Sequence, residues 1–201
     1  MKFLLCKILA LAILLNSLSI FLPYDQLKQI APANDTITHP IVEAAKEGNI
    51  TLIKELLHQG IPPDTPDWAG WTSLHWAALL LKNDVIKILL KAGANIEKIG
   101  KGGKNSGTPL MMASKKYNGN KTVKILLMYG ADINGTDQYG RTALIIASRY
   151  GRVEIVKTLL NSGANIDRQS NLNSWQTALK VARDRGHQSI VDILLKAGAK
   201  Q

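Results

Sequence analysis

The residue types that most often carry chemistry are sparse in this sequence and form no reactive arrangement. The four histidines, His39, His58, His75 and His187, include no pair at the spacing of metal ligands. Cys6 is the single cysteine, which excludes a disulfide framework and a thiolate metal site. No serine stands in a Gly-x-Ser-x-Gly nucleophile motif. We therefore expect no catalytic residue, no metal and no cofactor.

The glycine-rich segment Gly102–Thr108 has part of the pattern of a phosphate-binding loop. A functional loop needs a lysine between its last glycine and the following threonine, because that lysine reaches the phosphates. Here Thr108 follows Gly107 directly, and no buried strand precedes the segment. The sequence therefore argues against nucleotide binding.

Basic side chains are concentrated in one stretch of a chain whose net charge is +10. Between residues 98 and 131 there is no acidic residue, and the lysines are Lys98, Lys101, Lys104, Lys115, Lys116, Lys121 and Lys124. Such a stretch favours an acidic protein surface or anionic lipid, or it is a solvated face. Nucleic acid fits less well, because arginine is absent and only Tyr117 is available for base stacking.

An apolar run dominates the first 22 residues. Its uncharged part, residues 8–22, is 15 residues long, which is short for a bilayer span of about 20 residues and right for a signal-peptide core. Ser17 and Ser19 offer small side chains for cleavage after Ser19. A retained anchor and a helix packed on the domain remain alternatives. We predict a signal peptide or membrane anchor at 1–22, a linker at 23–36, and a protein exported to the periplasm or medium or held at a membrane.

The remainder of the chain repeats itself. The pattern Leu-Leu-x-x-Gly occurs five times, and its glycines are Gly60, Gly93, Gly130, Gly163 and Gly198. A second element precedes four of these copies and begins with Thr72, Thr108, Thr142 or Thr177, followed by leucine and alanine at helical spacing. A threonine hydroxyl can cap a helix N-terminus, and a glycine can end a helix in the left-handed conformation. Each copy therefore predicts two helices.

The motifs resemble the ankyrin repeat, which has a period of 33 residues and a Thr-Pro-Leu-His-x-Ala signature. Gly70–Ala78 and Gly140–Leu144 carry the resemblance most closely. It covers about residues 37–201, with copies at about 37–66, 67–99, 104–136, 137–169 and 172–201. The resemblance implies an all-α, ankyrin-type helical solenoid of about five repeats with protruding β-hairpin loops.

Copy two departs from the pattern at its inter-helix turn. The run Leu79-Leu80-Leu81 stands where a glycine is usual, and we expect Asn83 to supply the left-handed residue. The three leucines predict a local apolar patch, unless they pack against the N-terminal segment. Trp76, at a usually apolar position, is expected in the core.

The resemblance also implies how the chain binds. Members of the family bind proteins through hairpin tips and the exposed face of the first helices on the concave side. The implied hairpin-tip residues are Trp68, Trp71, Tyr139, Arg141 and Trp175. The implied first-helix residues are Leu79, Leu80, Lys115, Lys116, Arg149, Tyr150 and Arg185. We expect a non-catalytic monomer that binds another protein, or alternatively a membrane-surface scaffold that uses the lysine-rich third copy.

Overall fold

The computed structural model describes residues 39–100, 107–170 and 176–200. In these residues the first helix of each repeat begins at the capping position that the sequence predicts. Thr108, Thr142 and Thr177 have extended backbones, and each hydroxyl accepts a hydrogen bond from the amide three residues later. In the first repeat His39 takes this position, and its imidazole accepts from the amide of Ile41. The capping satisfies amide groups that a helix N-terminus leaves without a partner.

Ten helices follow in pairs over the described residues, two in each repeat. The first helices are α1 Pro40–Glu47, α3 Ser73–Leu79, α5 Pro109–Ser114, α7 Ala143–Arg149 and α9 Ala178–Asp184. The second helices are α2 Ile50–His58, α4 Asn83–Lys91, α6 Asn120–Met128, α8 Val153–Asn161 and α10 Gln188–Lys196. The helical fold class is therefore confirmed.

The turn between the two helices contains one left-handed residue in four of the five described repeats, and repeat three turns without one. Gly48, Gly151 and Gly186 supply it in repeats one, four and five, with φ between 70° and 83°. In repeat two the residue is Leu81, with φ 59°. The expectation that Asn83 would take this role is wrong, because Asn83 is already the first residue of α4. Leucine has no conformational freedom comparable to that of glycine, so the turn is strained.

The core lies between two layers of helices. Each first helix packs on the next first helix, and each second helix packs on the next second helix. The buried positions recur in every repeat, as Leu74, Leu110, Leu144 and Leu179 do at the start of the first helices. No repeat encloses its own apolar face, so neighbouring repeats supply the burial that stabilises each one.

Loops between repeats are joined by a second regular contact. A side chain in each loop accepts a hydrogen bond from a backbone amide in the next loop: Asp64 from Asn95, Glu97 from Asp132, Asn134 from Asn165 and Asp167 from Lys200. The predicted hairpins are short, since the described residues hold single antiparallel bridges, Pro66 to Thr72 and Gly100 to Gly107, and no strand.

The described residues belong to one unit that spans Thr38–Gln201. The predicted signal or anchor at 1–22 and the linker at 23–36 lie outside the described residues. Within the part of the chain that the structure describes, no helix combines the length and apolar character needed to cross a bilayer.

Candidate docking surface

The loop before repeat two is organised around the buried carboxylate of Asp67. Its Oδ1 accepts hydrogen bonds from the amides of Ala69 and Trp71 at 2.9 and 2.8 Å. Its Oδ2 accepts from the indole Nε1 of Trp76 at 2.8 Å. The Trp71 ring is drawn inward and lies 4.9 Å from that of Trp76, with 48° between the ring planes. Trp71 is only 8% exposed, so little of its side chain is available at the predicted binding surface.

Asp137 organises the loop before repeat four in the same way. Its Oδ1 accepts from the amides of Tyr139 and Arg141, and its Oδ2 accepts from the Arg141 guanidinium at 2.6 Å. This is a buried ion pair, and Arg141 is 7% exposed. Arg141 therefore also offers little of its side chain to the predicted surface, because its guanidinium is paired with Asp137 inside the loop.

Other loop residues stay at the surface. Trp68 is 77% exposed, although it lies between the buried Asp67 and Ala69, whose amide donates to Asp67. Tyr139 is half-buried, with the Arg141 guanidinium 5.0 Å from its ring centroid. Trp175 lies outside the described residues. Trp76, expected in the core, packs on it only in part, with the Lys46 ammonium 4.4 Å from its ring centroid.

The seven predicted first-helix residues lie where the first helices end. Leu79, Leu80, Lys115, Lys116, Arg149, Tyr150 and Arg185 occupy the last helical residue or the inter-helix turn of repeats two to five. Leu80 is 40% exposed and Tyr150 is 41% exposed. Sequence reasoning missed Tyr117, which is 81% exposed beside them. It lies in the inter-helix turn of the third repeat.

We define the turn row as Leu79–Lys82, Lys115–Lys121 and Arg149–Arg152, which comprise the inter-helix turns of repeats two, three and four and the helix residues that flank them. The row contains no acidic residue, and its basic residues are Lys82, Lys115, Lys116, Lys121, Arg149 and Arg152. Its exposed large side chains are Leu80, Tyr117 and Tyr150. It thus combines positive charge with apolar and aromatic surface, a composition that protein-binding sites favour.

Side chains at the start of three second helices reach back to the preceding turn. Arg152 Nε donates to the carbonyl of Lys115 at 2.8 Å, and its guanidinium lies 5.9 Å from the Tyr117 ring centroid. His187 Nε2 lies 3.2 Å from the carbonyl of Arg149. Lys82 lies against Gly48. Through these contacts the turns of repeats two, four and five are each joined to the turn of the preceding repeat.

Lys115 is the most perturbed base of the turn row. Burial and, less strongly, the Arg141 guanidinium lower the pKa of its ammonium to about 8, against an opposing effect of the Asp137 carboxylate. The ammonium donates to the Met112 sulfur at 3.6 Å. A partly desolvated ammonium of this kind gains stability from any carboxylate placed beside it.

The lysines of the third repeat do not share one surface. Lys115 and Lys116 lie in the turn row, and Lys124 is exposed on α6. Lys98 is exposed in the preceding loop, and Lys101 and Lys104 lie outside the described residues. On α6 the exposed Met128 adds apolar surface, being 79% exposed.

His75 is engaged inside the fold. Its Nδ1 accepts from the Thr72 amide at 3.1 Å, so its Nε2 is the nitrogen that donates to the carbonyl of Gly107, also at 3.1 Å. Burial lowers the pKa of its imidazole to about 4, against smaller opposing effects of backbone carbonyls. Across the described residues no group of three or more potential ligands is placed to hold a metal ion.

Comparison with known proteins places the chain in a family. A family model described as ankyrin repeats (3 copies) matches residues 9–99 and 110–201. A potassium channel of Arabidopsis thaliana is 32% identical over 170 residues, covering 85% of this chain and 20% of that protein. The B-cell lymphoma 3 protein homolog of Mus musculus is 34% identical over 154 residues, covering 77% of this chain and 30% of that protein.

An E3 ubiquitin-protein ligase of Arabidopsis thaliana is 42% identical over 94 residues, covering 47% of this chain and 18% of the ligase. The chain therefore spans less than a third of the length of the relatives it matches. The names of these relatives describe different activities. The family model covers well over half of the sequence, and its two matched segments overlap every helix pair that the structure describes. The chain belongs to the ankyrin-repeat family.

Proposed function

We propose that this chain is a non-catalytic docking protein that binds another protein through its exposed loop residues and the ends of its first helices. Ankyrin repeats generally mediate protein–protein interaction. The observation that carries the proposal is Trp68, a tryptophan left 77% exposed by a loop that buries its neighbour Trp71. An exposed tryptophan adds nothing to the core, and this residue type is enriched at interface hot spots.

The test compares partners captured from the source cells by the full chain and its variants. In Trp68→Ala/Tyr139→Ala, aromatic surface is lost from two loops while Asp67 and Asp137 still organise them. We expect partner recovery to fall at least several-fold. A matched control, His58→Ala/Lys91→Ala, removes two exposed side chains from the second helices and should recover partners as the wild type does. Equal recovery of partners by the wild type and both variants would show that the loops are not part of the binding surface.

The proposal includes export as a monomer to the periplasm or medium, or retention at a membrane. It is supported by the apolar run at residues 8–22 behind a lysine. Cell fractionation and N-terminal sequencing of the mature protein test it. A mature chain that begins at Met1 in the soluble cell interior would contradict it.

A second candidate function is attachment to an anionic membrane surface through the third repeat. On α4 and α8 an acid pairs with a lysine, Asp84 with Lys87 and Glu154 with Lys157. On α6 the acid is replaced by Lys121. We expect this mode, if used, to require phosphatidylserine in vesicles, to weaken with salt and to be lost in Lys121→Ser/Lys124→Ser. Vesicle binding unchanged by that variant would reject it.

A further inference from the structure

Each of the three turns of the turn row has a surplus of basic residues and no acid. The equivalent turns of repeats one and five hold one acid and one base each, Glu47 with Lys46 and Asp184 with Arg185. Asp84 and Glu154 border the row in the first turns of α4 and α8, and each forms an ion pair with a lysine of its own helix. The surplus of positive charge is therefore limited to the three turns of the row.

At the junction between repeats two and three, the position that bridges the other turns is Gly119, which has no side chain. A Cβ there would lie 2.1 Å from the Ala113 carbonyl oxygen, so only glycine fits. One residue beyond the row on each side, the Thr122 hydroxyl donates to Asn83 Oδ1 at 2.8 Å and joins α6 to α4. Leu80 and Tyr117 remain exposed at this junction.

A strained leucine lies at the same junction. Leu81 is the only described non-glycine residue with positive φ, at a position where repeats one, four and five have glycine. Holding a leucine there costs about 1–2 kcal/mol relative to an ordinary conformation. Leu81 is half-buried. Strain that persists in a turn where glycine would remove it indicates that the side chain itself is required.

We propose that the turn row binds an extended acidic segment of a partner protein, whose apolar side chains contact Leu80, Leu81 and Tyr117 and whose carboxylates pair with the row's bases. This inference rests on the proposed docking function and names its partner class. Lys115, which has no carboxylate of the described residues within ion-pairing distance, receives one from the segment.

The dimensions of the row suit such a segment. Neighbouring packed helices lie about 10 Å apart, so three turns span roughly 20 Å. About six residues of extended chain cover roughly 20 Å, so a segment of about ten residues covers the row with about two residues to spare at each end, and its side chains alternate between two faces. A planar anionic membrane fits less well, because five of the row's six bases are half-buried and only Lys121 is exposed.

The inference is tested with the full chain and a fluorescent peptide of about ten residues that alternates glutamate with leucine, a length set by the span of the row. A matched peptide carries glutamine in place of glutamate. We expect the acidic peptide to bind in a salt-dependent manner and the glutamine peptide to bind at least tenfold more weakly. Equal binding of both peptides would overturn the inference.

Three variants locate the peptide. Lys116→Ser/Lys121→Ser removes two charges from the row, and we expect about tenfold weaker binding. Lys54→Ser/Lys91→Ser removes two exposed lysines from the second helices and should change the affinity less than twofold. Leu81→Gly should weaken binding several-fold although it relieves strain, which separates binding from folding. Equal weakening by both lysine pairs, or unchanged binding by Leu81→Gly, would overturn the assignment.

The last experiment measures binding of the wild type and the row variant Lys116→Ser/Lys121→Ser to vesicles that contain phosphatidylserine. If the row variant loses vesicle binding and the wild type does not bind the acidic peptide, the row is a membrane site and the inference is wrong. If neither probe depends on the row but partner capture depends on Trp68 and Tyr139, docking stands and only the acidic partner class is rejected.

Discussion

At the scale of single residues, Leu81 is the clearest case of a side chain that opposes local backbone preference. Replacing it with glycine removes the strain of the positive φ. We expect Leu81→Gly to raise the free energy of unfolding by about 1 kcal/mol, measured by urea denaturation. Leu80 has φ −94°, so Leu80→Gly should instead lower stability by about 0.5–1 kcal/mol. A loss of stability in both variants would show that the leucine side chains pack more tightly than their exposure indicates.

His75 makes stability depend on pH. Its pKa is lowered from the ordinary 6.5 to about 4 in the folded chain. The unfolded chain therefore takes up the proton first, and the stability due to neutral His75 is complete above pH 6.5 and lost as the pH falls to about 4. The loss should be about 3 kcal/mol. It is measured as the free energy of unfolding across this range.

The control for His75 comes from the third repeat, where Met111 fills the equivalent buried position. His75→Met should be less stable at pH 7, because the Gly107 carbonyl loses its donor, but its stability should fall less on acidification. Some acid sensitivity will remain, because burial also lowers the pKa of His39. An acid dependence equal to that of the wild type would show that other groups cause it.

At the scale of structural elements, two loops of the same geometry differ in the partner of their aspartate. Asp137 faces a buried guanidinium, and Asp67 faces a neutral indole. We expect Asp137→Asn to lower the free energy of unfolding by about 2–3 kcal/mol, since a buried charge loses its counter-ion. Asp67→Asn should cost about 1 kcal/mol, the value of a neutral hydrogen bond. Equal costs in thermal or urea unfolding would mean that the ion pair is compensated elsewhere.

These loops also show how far the sequence could predict the structure. Helix starts at Thr108 and Thr142 were predictable, because capping depends on residues within one turn. The burial of Trp71 and Arg141 was not, because it depends on a carboxylate four residues earlier folding back onto the loop. The local sequence pattern predicts which segments are helical. It does not predict which loop side chains become buried.

The turn row was predicted in part. Seven first-helix residues were named from the family pattern, and the structure places them at helix ends, where the inter-helix turns also bring Tyr117. The bridging role of Arg152 and the gap at Gly119 depend on contacts between repeats, which no single repeat reveals. The sequence shows that repeat two lacks the inter-helix glycine. It does not show that Leu81 adopts the left-handed conformation, because this depends on the second helix of repeat two beginning at Asn83.

At the scale of the whole repeat domain, stability should depend on where along the stack a repeat is weakened. Leu126 in repeat three and Leu194 in repeat five are both fully buried leucines of the second helices. Truncating either to alanine removes the same apolar volume and should cost about 2–5 kcal/mol locally. Repeat three contacts a neighbour on each side, whereas α10 contacts only α8 among the second helices.

The two truncations should therefore differ in how far the damage spreads, which hydrogen exchange followed by mass spectrometry can resolve. In Leu194→Ala we expect faster exchange confined to repeat five, because an end repeat can open without exposing any interface but its own. In Leu126→Ala we expect loss of protection in repeats two to four, since opening repeat three exposes two interfaces. The turn row spans the same three repeats, so this variant should also weaken binding of the acidic peptide while Leu194→Ala leaves it intact. Faster exchange spread evenly over all five repeats in both variants would show that the stack unfolds as one cooperative unit, without the nearest-neighbour behaviour that its layered contacts imply.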